Sequence, residues 1–163
     1  MPNEGRRLIK LWDYGWAEHT LVEVAPAVTP TRCIENYISC PEFRTTFLDD
    51  KAVDADIHGP FRASALTAED FSLVSKSELL SLISEARRPP GFSDKASDDQ
   101  WSQVLQVVQD MCSKHTWLFS LRRTETSTDL FHDWGFVLGI VFREYLAASP
   151  SKGFLDRLVI SLD

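Results

Sequence analysis

The chain has 163 residues, of which 44% are hydrophobic and 25% charged, the composition of a folded globular chain rather than a disordered one. Seventeen Lys and Arg stand against 24 Asp and Glu, a net charge of −7, which disfavours binding to nucleic-acid phosphates or to an anionic membrane because both need basic surface. Arg6-Arg7 lacks the apolar stretch of an export signal, and the longest nearly uncharged run, Trp134 to Phe142, falls far short of the ~20 residues of a membrane helix, so a soluble cytoplasmic protein is expected.

In chain order, residues 7 to 24 read as a hairpin, with Tyr14-Gly15 at the turn and alternating polar and apolar residues from Glu18 to Val24. A helix is expected from Thr29, which can cap it, with Pro30 in its first turn. Pro41 interrupts it, and Glu42 to Leu48 reads as a second short helical piece with Phe43 and Phe47 at i, i+4. Residues 49 to 60 carry Asp49, Asp50, Asp54 and Asp56 before Gly59-Pro60 and read as an exposed acidic loop. Residues 61 to 66 suggest a short strand.

Ser75 and Glu78 form a capping-box pattern that predicts a helix to about Arg88, stopped by Pro89-Pro90-Gly91. After a linker loop over 89–97, Ser97 caps the clearest amphipathic helix, with Trp101, Val104, Leu105, Val108, Met111 and Cys112 on one side. The last third reads as sheet: a strand over Thr116 to Arg122, an aromatic and β-branched stretch over 134–147 and a final strand over Phe154 to Leu162, the last two forming an antiparallel hairpin. The expectation is one α+β domain spanning residues 1–163, an antiparallel sheet with two main amphipathic helices packed on one face.

Candidate chemistry is sparse. Asp54-x-Asp56-x-His58-Gly59 imitates the start of a calcium loop, but the twelfth position, which needs a bidentate Glu, is Ala65. Cys112 and His115 lie three apart, with His132 and Asp133 further on, short of the two close ligand pairs of a zinc site. Ser120 or Cys112 with His132 and Asp133 is the best available nucleophile–base–acid set, without a nucleophile motif around either. Gly135 and Gly139 belong to no nucleotide-binding pattern. Cys33, Cys40 and Cys112 are an odd number, expected as reduced thiols; if Cys33 and Cys40 share a helix, their Cα atoms lie ~10 Å apart, too far for a bridge. No metal or cofactor is implied.

What remains is charge and tryptophan. A small acidic domain can dock on and occlude a basic protein partner, as toxin-neutralising immunity proteins do. In that reading Asp49, Asp50, Asp54 and Asp56 are the electrostatic contacts and Trp16 is the apolar anchor. The alternative is a small enzyme or ligand-binding domain with a pocket between sheet and helices, using His132, Asp133, Arg143 and Glu144.

Overall fold

The computed structural model describes residues 5–13, 15–45, 47, 54–88, 95–122 and 141–162. Strands β1 (Arg6–Trp12) and β2 (Gly15–Glu23) form the expected hairpin. They join β3 (Phe71–Val74), β4 (Trp117–Leu121), β5 (Val141–Ala148) and β6 (Phe154–Leu162) in one six-stranded antiparallel sheet of order β1-β2-β6-β5-β4-β3. The β5–β6 hairpin is central, which is why almost every described residue of both strands is buried.

Three helices cover the sheet. In α1 (Pro30–Ser39), the Thr29 hydroxyl accepts the Arg32 N–H at 3.3 Å. In α2 (Lys76–Ala86), Ser75 and Glu78 satisfy each other's backbone N–H groups at 2.7 and 3.2 Å. In α3 (Asp98–Lys114), the Ser97 hydroxyl accepts the Gln100 N–H at 3.3 Å. Each cap satisfies a donor that the helix leaves free. Arg87 clamps the end of α2 to the start of α3 through the Asp98 carboxylate and the Ala96 carbonyl.

Side chains paired across antiparallel strands share a face, and register divides the sheet cleanly. Ala17, Leu158, Ile160, Tyr145 and Leu118 pack under α2 and α3, with Leu79, Ile83, Trp101, Val104, Val108 and Met111. These are the two helices that the sequence puts on one face. The opposite face carries Val22, Leu155, Val159, Phe142, Leu146 and Phe119 and packs under α1 and the segment that follows it. No helix among the described residues is long and apolar enough to cross a membrane.

That following segment departs from expectation in three ways. The helical piece over Glu42 to Leu48 is one 3-10 turn, Pro41–Phe43, after which Arg44 is extended and Phe47 has a left-handed backbone, φ 60°. The strand over 61–66 is a 3-10 turn at Ala63–Ala65 with a single bridge at Phe61. The acidic loop is only partly exposed, since Ile57, His58, Gly59 and Pro60 are buried. One cause underlies all three. Phe43 stacks on the His58 ring at 3.9 Å and Phe47 meets its edge at 5.2 Å, so the chain wraps around this histidine instead of continuing a helix or strand.

Gly59 makes the wrap feasible. Its φ is +55°, and a Cβ there would stand 2.7 Å from the Phe142 ring. Gly59→Ala is therefore expected to cost ~2–4 kcal/mol, from a backbone region hostile to Cβ and from overpacking a buried ring. The urea midpoint relative to wild type measures it; a change below ~0.5 kcal/mol would contradict this account.

Candidate functional site

The structure describes the predicted partner-binding residues only in part. Asp49 and Asp50 lie outside the described residues, as do Gly135, Gly139, His132 and Asp133. Asp54 is exposed. Asp56 is a structural acceptor: its carboxylate takes the Ser64 N–H at 2.6 Å and the Ser64 hydroxyl at 2.5 Å, and these bonds hold its carboxyl below the usual range. Trp16 is half-buried on β2, between Lys10 of β1 and Ser161 of β6. Asp54, Asp56 and His58 diverge rather than converge on a cation. Among the described residues no group of three His, Cys, Asp or Glu can hold a metal ion, and burial raises the Cys112 thiol.

Two ionisable clusters, one on each face of the sheet, were not read from sequence. Under α1, Glu144 of β5 is fully buried and both its oxygens are occupied. The Tyr37 hydroxyl donates to Oε1 at 2.5 Å, and His58 Nε2 lies 2.6 Å from Oε2. The Phe43 carbonyl sits 2.6 Å from His58 Nδ1, and because a carbonyl only accepts, Nδ1 carries a hydrogen. Arg157 of β6 donates to the Tyr37 hydroxyl at 3.3 Å and to the Glu42 carbonyl at 3.1 Å. Among the described residues its Nε meets no acceptor; the Phe47 ring lies 4.8 Å from the guanidinium carbon. Burial alone would raise Glu144, but the charge and hydrogen bond of His58, with Arg157 and Tyr37, hold it below the ordinary carboxylate range. Burial and the neighbouring Glu144 push Tyr37 well up, so it stays a donor.

On the other face, Asp156 of β6 binds two histidines. His19 Nε2 of β2 lies 2.5 Å from Oδ1, and His115 Nε2, at the end of α3, lies 2.5 Å from Oδ2. His115 Nδ1 faces the Ser149 hydroxyl at 3.2 Å. Desolvation would raise Asp156, yet the hydrogen bonds and charge of the two imidazoles hold its carboxyl far below the usual range. His115 thus has a definite structural partner where sequence suggested only a weak zinc pairing.

A groove facing solvent lies beside α1. A groove of about 570 Å3 runs between Thr31, Glu35, Ile38 and Ser39 of α1 and Leu66, Thr67, Ala68 and Glu69. Ile38, Leu66 and Ala68 contribute apolar surface, while Glu35 and Glu69 are exposed. Arg32 donates directly to Glu35 at 3.1 Å, an exposed pair worth little. No family model, curated protein or solved structure matches the chain.

Proposed function

We propose that the protein is a binding module that docks on and occludes a basic protein partner, in the manner of a toxin-neutralising immunity protein. The observation that carries this reading is the groove on α1, with apolar surface from Ile38, Leu66 and Ala68 and carboxylates from Glu35 and Glu69, on a chain of net charge −7. A lysine or arginine fits such a groove in both parts, its methylenes on the apolar floor and its head between carboxylates. The buried clusters support the reading indirectly: Glu144 and Asp156 spend both carboxylate oxygens inside the fold, which leaves the exposed acids to meet a partner. The expected cytoplasmic setting agrees with Cys33, Cys40 and Cys112 being free thiols.

A photo-crosslinker at Ile38, introduced in native-host cells, is expected to capture a protein with a basic surface. Affinity for the captured partner is then expected to fall at least tenfold in Glu35→Lys/Glu69→Lys, about 1.4 kcal/mol, and to weaken with added salt. Asp49→Lys/Asp50→Lys/Asp54→Lys is expected to slow association; Asp56 is kept because it holds Ser64. Salt-independent affinity untouched by reversal at Glu35 and Glu69 would overturn the proposal.

A further inference from the structure

The first strand ends the sheet: among the described residues β1 has only β2 beside it. Register tells which of its backbone groups face outward. The Leu21 N–H donates to the Gly5 carbonyl at 3.0 Å. Counting along the antiparallel ladder from there, Arg7 with His19 and Ile9 with Ala17 exchange bonds, and the pairs between them do not. Those intervening pairs are Arg6 with Thr20, Leu8 with Glu18 and Lys10 with Trp16. The N–H and C=O groups of Arg6, Leu8 and Lys10 therefore point away from the sheet. No backbone group among the described residues bonds to them there. A bulge between Lys10 and Trp12 ends this regular stretch.

The side chains of the same three residues lie on one face, opposite to Ile9 and Leu11, which are buried in the core under α2 and α3. Leu8 is 60% exposed, and Trp16, half-buried, stands opposite Lys10. Arg6 donates to the buried Glu18 at 2.8 Å. Lys10 is exposed and forms no ion pair among the described residues. Arg7, on the other face, donates to the neutral Gln103 at 3.4 Å. β1 thus carries three cations and no acid, in a chain whose net charge is −7.

That charge selects the occupant of the edge. A second copy pairing through its own β1 would set cations against cations, which is destabilising, and charged edge residues are a common guard against such self-pairing. The same cations favour a strand that brings carboxylates. We propose that the outer edge of β1 is a docking site for an extended acidic segment of a partner protein, added to the sheet as a further strand. Its carboxylates lie beside Arg6 and Lys10, and an apolar side chain between them covers Leu8. The site is separate from the α1 groove and asks for the opposite charge, so the two stand or fall independently.

The probe is the capped pentapeptide Glu-Thr-Val-Thr-Glu, with Lys-Thr-Val-Thr-Lys as control, each titrated into the full-length protein at millimolar concentration. The net charge of the protein alone would favour the lysine peptide, so a preference for the glutamate peptide reports the strand. Hydrogen exchange followed by NMR is expected to slow roughly fivefold at the Arg6, Leu8 and Lys10 amides as the glutamate peptide saturates. Arg7 and Ile9, already bonded to β2, keep their rates. Leu8→Pro removes an N–H that β2 does not use, so it spares the ladder and is expected to abolish the protection. Lys10→Glu, expected to weaken the glutamate peptide roughly fivefold, decides the matter if the proline variant does not fold. Unchanged exchange at the three amides, equal protection by the lysine peptide, or undiminished binding in folded Leu8→Pro or in Lys10→Glu would each overturn the proposal. So would protection that arises without peptide and grows with protein concentration, which would make a second copy the occupant.

Discussion

Glu144→Ala is expected to lose ~3–5 kcal/mol of stability, the range for removing one member of a buried ion pair. One carboxylate there serves three groups. Deleting it leaves the Tyr37 hydroxyl and the His58 Nε2 side without their partner, both inside a fully buried site. It also removes a counter-charge of Arg157, which is 5% exposed and whose Nε meets no acceptor among the described residues. Domains of this size have total stabilities of only ~5–15 kcal/mol, so the loss is a large fraction of the total. Glu144→Gln retains one carbonyl acceptor and should lose less, ~1–3 kcal/mol. Urea unfolding followed by tryptophan fluorescence measures both; an alanine variant within ~1 kcal/mol of wild type would show that the cluster does not hold the core.

The same cluster shows which parts of the molecule can be read from sequence. Thr29, Ser75 with Glu78, and Ser97 announce helix starts because a cap acts within three residues, and each makes the expected bond. The α3 stripe from Trp101 to Met111 is legible because its period matches the helix. The β1–β2 hairpin is legible because turn and alternation coincide. By contrast Tyr37, His58, Glu144 and Arg157 meet only when the sheet closes, with Glu144 107 positions after Tyr37 and 86 positions after His58. A signal did exist: Phe142-x-Glu144-x-Leu146 and Leu155-x-Arg157-x-Val159 each place an ion between apolar residues on one strand face, with opposite signs on the two strands of a hairpin. It is hard to see because both faces of β5 and β6 are covered, so period-two alternation disappears.

The described part of the acidic loop, residues 54–60, differs from its composition for a related reason. The loop's four aspartates average out Ile57, His58 and Pro60, which are buried, while the partly exposed Asp56 is spent on Ser64. Composition describes a segment as a whole, but burial is decided residue by residue, by which side chain faces Phe43 and Phe142. The candidate docking groove lies further from sequence still, since α1 and residues 66–69 supply its two walls and only Glu35 and Glu69 mark it with charge.

A loss of stability in acid is expected from the two buried carboxylates, Glu144 and Asp156. Asp156 and Glu144 are both held below their ordinary values in the folded protein: burial opposes this, and bonds from His115 and His19, or from His58 and Tyr37, override it. A carboxyl depressed by folding binds its proton more readily in the unfolded chain. Its stabilisation is therefore complete above the unfolded value, near ~4, and is lost as pH falls toward the folded value. Unfolding free energy should accordingly decline steeply from about pH 5 downward, with a strongly hydrogen-bonded aspartate contributing ~2–3 kcal/mol of the decline. Asp156→Asn isolates that share, because asparagine does not titrate, so the variant should start less stable at pH 5 and fall less steeply by pH 2. Denaturant titrations of both proteins at pH 5, 4, 3 and 2 measure the difference in slope. Parallel curves would mean that the Asp156 proton is bound equally in both states, and that its two imidazole contacts carry no net stabilisation.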